Sequence, residues 1–264
     1  MKTIIKKNVV AGLGEIGFPI SKLLETKSLV VGYDLDKKLM DIKKFKKLEN
    51  TDTLFLHVCI PHTKNFKKNV LQLIKKFKPE IVVIHSTISP NTTSSLQSVC
   101  DIPIMYSATR GVHKRMLTDL KRYTKYFAIS KNAPKKKMAI TEFKKSMKLC
   151  NVQTKQMEKP ETLELAKIIC DTSYLGWLIN YAQLSNMIAI QYNVNYDEMW
   201  SFSDEIHELL GNRPKLYPGF IGGHCVIPNL DLMHNQTLDL IKKINSKYEK
   251  KVKNAKTIHK KYTK

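Results

Sequence analysis

One cysteine of the five in this 264-residue chain sits where backbone could activate it. Cys225 follows Gly222, Gly223 and His224 in the run Pro218-Gly219-Phe220-Ile221-Gly222-Gly223-His224-Cys225-Val226-Ile227-Pro228-Asn229. Glycine serves where backbone bends sharply or must come close to a ligand. A thiol beside such backbone, with a histidine adjacent, is a candidate nucleophile. Taken alone, the stretch is equally well read as a Gly/Pro loop with an incidental cysteine. A second constellation is Lys167 with Asp171, which are neighbours on a helix. Such a pair can hold a hydroxyl or a water and handle its proton, or it can be an ordinary surface pair.

The elements that would position these groups begin at the N-terminus. Residues 4–11 are predicted as a strand in which Ile4, Ile5, Val9 and Val10 bracket a basic turn or edge. Gly12-Leu13-Gly14-Glu15-Ile16-Gly17 then opens a helix, so Gly12, Gly14, Glu15, Ile16 and Gly17 form G-x-G-x-x-G between strand and helix. The pattern is weak by itself, but an acid, Asp34, ends the next predicted strand (28–34) about 20 residues further on. The helix N-terminus would receive a pyrophosphate and Asp34 an adenosine ribose. Asp34 would repel a 2′-phosphate, which favours NAD over NADP.

Strand and helix patterns keep alternating. Strands are predicted at 53–60, 80–85, 102–106, 125–130 and 151–156, and helices at 66–77 and 134–149. That alternation predicts an α/β fold, a Rossmann-type doubly wound parallel sheet, over residues 1–158. Ligands sit beyond the carboxyl ends of such strands. Pro61, His62, Ser86 and Thr87 therefore become candidates to line the nicotinamide half of the site. Arg110 and His113 lie in another strand-end loop and are candidate substrate contacts, as are Arg213, Tyr217, Gly222 and Gly223.

Pro160 starts a long helix running to about residue 192, with Glu161 and Glu164 suited to its positive end. Leu163, Ala166, Ile169, Cys170, Trp177, Leu178, Tyr181, Leu184 and Ile188 keep helical spacing. An apolar stripe of that length must be covered, by this chain or a second subunit. Trp177 and Tyr181 read as packing residues. Residues 195–210 form the next helix, and Leu230 begins the last ones. This all-helical part, 159–245, is followed by a basic helical tail, 246–264.

The formal net charge is +22, nearly all from lysine. Lysines are spread along the chain without a nucleic-acid-binding motif, so a solvated coat is favoured over a nucleic-acid partner. The cysteines are odd in number and contain no C-x-x-C, which indicates neither a metal site nor a disulfide framework. No apolar run approaches the roughly 20 residues of a membrane span, and no signal-peptide core follows Met1. A cytoplasmic, reduced chain with no membrane partner is expected.

Over residues 4–245 the chain resembles the UDP-glucose/GDP-mannose dehydrogenase family of nucleotide-sugar dehydrogenases. The resemblance rests on the glycine loop at 12–17, the Ser86-Thr87 loop, the segment from Glu164 to Asp171 and, most specifically, the glycine-cysteine run ending at Cys225. Hydroxyacid dehydrogenases of the 6-phosphogluconate type share the less specific motifs. The resemblance implies a two-step oxidation of a sugar C6 alcohol by NAD, with a role in polysaccharide biosynthesis. Cys225 would add to the aldehyde and carry a thioester that water hydrolyses to a uronate. Lys167 would stabilise oxyanions and assist proton transfer. A homodimer through the helix from Pro160 is also implied.

Three departures qualify the match. The family usually has Asn four residues after the lysine and Asp four after the cysteine; here these are Asp171 and Asn229. If both face one water or hydroxyl, the exchange retains charge and hydrogen-bonding capacity. The loop after Tyr106 lacks the family's acid and offers His113 as a base or Arg110 as an anion contact. A further C-terminal nucleotide-binding domain is expected to be lacking. Two alternatives stay open: a two-electron alcohol or hydroxyacid dehydrogenase using Lys167 without Cys225, and a non-catalytic NAD- or sugar-binding subunit.

Overall fold

The computed structural model describes residues 6–210, 218–223, 225–232 and 236–254. The chain divides into two compact units, Met1–Lys167 and Ile168–Lys264.

The first unit is a seven-stranded sheet with helices on both faces. Its strands are β1 (Lys7–Ala11), β2 (Val30–Tyr33), β3 (Thr53–Val58), β4 (Ile81–Ile84), β5 (Ile104–Tyr106), β6 (Lys125–Ile129) and β7 (Thr154–Gln156). They lie in the order β2-β1-β3-β4-β5-β6-β7. The helices are α1 (Gly17–Glu25), α2 (Ile42–Lys47), α3 (Phe66–Phe77), α4 (Thr92–Gln97), α5 (Met116–Arg122), α6 (Lys136–Leu149) and α7 (Pro160–Ala166). Successive residues of a strand point to opposite faces. Val10 accordingly packs with Leu24, Phe127 and Phe143 on one side, while Val9 and Ala11 pack with Phe66 and Val70 on the other. A sheet buried on both faces reads as continuous apolar runs, as β4 (Ile-Val-Val-Ile) does. The strand order reverses between β1 and β3, so the crevice for a ligand opens at the carboxyl ends of that pair.

The sheet departs from the all-parallel expectation at one place, where β5 and β6 run antiparallel. The chain leaves β5, makes an excursion containing α5, and returns at the same end of the sheet. Ser107 Oγ donates to Tyr126 O (2.8 Å) and Arg110 Nη2 to Thr124 O (2.7 Å), closing that excursion on itself. Strand–helix–strand alternation is compatible with this path as well as with a crossover. Lys7 also differs from its predicted place in a basic turn. It lies buried within β1, and its Nζ donates to Leu48 O (2.5 Å) and Glu49 O (2.9 Å) at the C-terminal end of α2, where a helix presents negative charge.

The helical unit contains α8 (Tyr174–Tyr192), α9 (Tyr196–Leu210), α10 (Ile227–Leu230) and α11 (Gln236–Asn254). The predicted unbroken helix from Pro160 is interrupted by a π-helical turn, Lys167–Ser173. Apolar spacing does not register that change, because a π turn adds about one residue and leaves the chain helical on either side. Leu230 ends a short helix rather than beginning the last one. Asn193 stops α8 in the left-handed region (φ 56°), and Asn195 caps α9 by accepting from Glu198 N (2.9 Å). The core joins Ile168, Ile221, Val226, Leu230, Leu238 and Ile241. Trp177 is packed against it, as predicted, whereas Tyr181 is 64% exposed.

Helix α8 is turned inside out. Asn180 and Gln183 are fully buried, while Ile188 and Tyr192 are 52% and 71% exposed. Tyr181, Leu184 and Ile188 of the apolar stripe are therefore not covered by the described residues of this chain. Among those residues, no helix is long and apolar enough to cross a membrane.

Candidate functional site

Three glycines of the loop after β1 have different reasons to be glycine. Gly12 has φ +89°, and a Cβ there would lie 2.8 Å from the Cys59 carbonyl carbon. A Cβ at Gly17 would lie 1.6 Å from Gly12 O. The fold alone requires both. A Cβ at Gly14 would meet nothing within 4 Å. Gly14 leaves open the space through which a bound phosphate would approach the backbone, so the loop fits a dinucleotide. No side chain caps α1 at Ile16, which leaves amides of the helix N-terminus for an anion. Asp34 Oδ2 accepts from Leu13 N (2.7 Å) and Oδ1 from Asp36 N (3.0 Å), so the acid at the end of β2 is fixed against the glycine loop.

The loops after β3 and β4 are tied together. Ser86 Oγ donates to Ile60 O (2.6 Å), and Ser89 Oγ lies 3.2 Å from His62 Nε2. Pro61 and Thr87 adjoin this knot, at the carboxyl ends of the central strands. Glu164, noted in the sequence for its helix-end charge and as the start of the segment running to Asp171, anchors α7 to the same region. Its Oε1 accepts from Thr93 N (2.9 Å) and Thr93 Oγ1 (2.6 Å), and its Oε2 from Asn91 N (2.7 Å). Ser94 donates to Glu161, one turn earlier. Burial raises the Glu164 carboxyl above its ordinary range, against the pull of those donors. Lys167 caps α7 one turn after Glu164.

The loop after β5 is held from below by Lys125, which the sequence did not single out. Its Nζ is buried and donates to Ser107 O (3.0 Å), Ala108 O (3.2 Å) and Thr109 Oγ1 (3.1 Å). Desolvation lowers its pKa to about 7; the Cys59 thiol opposes that shift, and the charges of Lys167 and Arg110 add to it. Beside it, His85 Nδ1 donates to Ser107 O (3.0 Å), so His85 Nε2 accepts from His57 Nδ1 (2.9 Å). Burial keeps both imidazoles neutral. A single lysine opening an otherwise apolar strand carries no sequence signal for this role. Arg110 stacks on Tyr126 with its guanidinium 4.9 Å from the ring centre. His113 Nδ1 lies 2.7 Å from Glu15 Oε2. The structure thus joins two residues that the sequence assigned separately to substrate and cofactor.

In the helical unit, Cys225 is exposed between two buried anchors, Ile221 and Val226. Gly223 turns the chain there with φ +69°. Asn229 Nδ2 donates to Cys225 O (2.6 Å), holding the backbone of the candidate nucleophile. Asp171 lies in the π-helical turn and is exposed, next to exposed Cys170. Gly222 is exposed beside the Phe220 ring. Arg213 and Tyr217 lie outside the described residues.

No family model matches the chain, and no curated protein sequence is similar to it. Solved structures are similar. The UDP-D-ManNAc dehydrogenase of Pyrococcus horikoshii superposes with a TM-score of 0.75 at 17% identity, over 94% of this chain and 70% of that one. The UDP-N-acetyl-mannosamine dehydrogenase of Staphylococcus aureus gives 0.68 at 17%, over 96% and 72%. A 3-hydroxyisobutyrate dehydrogenase from Mycobacterium tuberculosis gives 0.66 at 12%, over 95% and 94%. Likeness at these identities is likeness of fold, and the fold is the one these dehydrogenases share.

Proposed function

We propose that this chain is an NAD-dependent oxidoreductase of the nucleotide-sugar dehydrogenase class, acting on an alcohol group of a UDP- or GDP-sugar. The reading is carried by Cys225, an exposed thiol on a glycine turn whose backbone is pinned on both sides. Gly12, Gly14 and Gly17 with the N-terminus of α1 would hold the pyrophosphate, and Asp34 the adenosine ribose. Pro61, Ser86 and Thr87 would flank the nicotinamide. When bound, NAD would supply the hydride acceptor, one molecule for each of the two oxidations.

Lys167 receives the proton of the sugar hydroxyl as the aldehyde forms. The Cys225 thiolate then adds to the aldehyde carbon, and the oxygen takes a proton to give a thiohemiacetal. Loss of hydride from that carbon, with the hydroxyl proton returning to Lys167 or water, yields the thioester. Water displaces the thiol and leaves a carboxylate. Asp171 and Asn229 flank these steps as the remaining acid and amide. Arg110, His113, Gly222 and Gly223 belong to the sugar and phosphate side. The exposed apolar stripe of α8 supports a homodimer through the helix that starts at Pro160.

A two-electron hydroxyacid dehydrogenase is the second reading. It is favoured by the 3-hydroxyisobutyrate dehydrogenase match, which spans 94% of that protein. NADH released per sugar consumed, over a panel of UDP- and GDP-sugars including N-acetylated ones, separates the two. Two NADH with an acid product, falling to trapped aldehyde in Cys225→Ala, is the expected result. One NADH, unchanged in Cys225→Ala, establishes the second reading. NAD binding without turnover on any sugar rejects the first reading, and no turnover on small hydroxyacids either rejects the second.

A further inference from the structure

The helical unit buries three side-chain amides, and their hydrogen bonds run to the backbone that leads into Cys225. Asn180, Gln183 and Asn245 are 0%, 0% and 4% exposed. Gln183 Nε2 donates to Gly219 O (2.6 Å) and to Asn245 Oδ1 (3.1 Å). Asn245 Oδ1 also accepts from Ile221 N (2.8 Å), and Asn245 Nδ2 donates to Ile221 O (3.1 Å). Asn180 Nδ2 donates to Gln183 Oε1 (2.7 Å), which fixes which end of the Gln183 amide faces Gly219.

The segment 218–221 has no regular secondary structure and belongs to no sheet. Its buried peptide groups still need partners. Asn245 supplies them as a neighbouring strand would, exchanging both N–H and C=O with a single residue. This has a cost, since Asn180 Oδ1 is buried with no hydrogen-bond partner, and an unpaired buried acceptor is unfavourable. Apolar side chains on α8 and α11 would cover the segment without that penalty, but they would not fix its register. The amide network does so, because each of its hydrogen bonds to the segment joins a particular donor to a particular acceptor. Four residues beyond Ile221 the chain reaches Cys225, whose carbonyl is held from the other side by Asn229.

We infer that Asn245 and Gln183 are positioning residues for the Cys225 thiol: they set the register of the segment 219–221 and so decide where the nucleophile meets its aldehyde. The inference rests on the dehydrogenase reading above for its chemistry, but not for its geometry.

The test compares full-length wild type with Asn245→Asp and Gln183→Glu. Each is close to isosteric and replaces a donor by a carboxylate oxygen facing a backbone carbonyl or Asn245 Oδ1. The readouts are NADH per sugar consumed, with aldehyde trapping, and backbone hydrogen exchange. A misplaced thiol lets aldehyde escape, so the ratio should fall from two toward one. A loss of folded enzyme lowers the rate but leaves that ratio unchanged. Exchange in 219–226 should rise about tenfold or more while the core of α8 keeps its protection. A ratio that stays at two in both variants, or exchange that rises equally across the helical unit, overturns the inference. Should wild type release no NADH from any sugar, the dehydrogenase reading fails, and local exchange at 219–226 alone decides the positioning claim.

Discussion

Glu15 Oε2 lies 2.7 Å from His113 Nδ1, joining the glycine loop after β1 to the loop after β5. A carboxylate beside the N-terminus of α1 opposes a bound pyrophosphate, and pairing with the imidazole ties that carboxylate up. His113→Ala should therefore weaken NAD binding, by about two- to fivefold for a partly exposed pair of this kind. Adding Glu15→Gln should restore it. Fluorescence titration of NAD with the three proteins measures this, and equal dissociation constants would sink the idea.

The glycines of the same loop separate folding from binding. Gly17→Ala drives a Cβ into Gly12 O and should leave little folded protein. Gly14→Ala meets no protein atom, so its melting temperature should match wild type. Its NAD affinity should nevertheless fall by at least about tenfold, because the methyl occupies the phosphate approach. Calorimetry and NAD titration of Gly14→Ala suffice. Unaltered affinity would remove the glycine loop from the cofactor site.

Lys125 makes folding depend on pH in a defined window. Its pKa is about 7 in the folded protein against an ordinary 10.5. Between those values the unfolded chain holds a proton that the folded chain does not, so this residue's contribution to stability rises with pH from about 7 to 10.5 and is flat below. Relative to Lys125→Met, wild type should gain a few kcal/mol across that window. Urea unfolding at pH 7 and pH 10 gives the difference, in which other titrating groups cancel. A constant difference would mean that Lys125 stays charged throughout.

Glu164→Ala removes the acceptor for Asn91 N, Thr93 N and Thr93 Oγ1 at once. The expected loss is about 2–4 kcal/mol. Glu164→Gln should not rescue it, since its amide would present a donor to one of these donors. Thermal unfolding of both variants tests this; a Gln variant as stable as wild type would refute the three-donor clasp.

Much of this was legible in the sequence, and the omissions have a common physical origin. Phe66–Phe77 was readable to the residue because one apolar face with lysines opposite admits only a surface helix. The glycine loop was readable because steric limits on backbone leave few residues able to stand at Gly12 and Gly17. Lys125, Glu164, Gln183 and Asn245 were not. Each is a buried polar side chain whose partners are mostly backbone atoms far along the chain, and periodicity reports burial of apolar groups only. The π turn at Lys167–Ser173 was hidden for a related reason, since hydrophobic spacing tolerates one added residue. Antiparallel β6 was missed because local pattern determines an element's type, not the direction in which the chain returns.

The inverted burial of α8 reverses the usual map of mutational tolerance. With Asn180 and Gln183 sealed inside and Ile188 and Tyr192 facing out, a hydrophobicity plot marks as core the positions this chain's own fold needs least. Consensus engineering that greases Asn180 or Gln183 would damage the fold. Solubilising changes at Ile188 or Tyr192 would leave the folded chain intact and alter only what it adheres to.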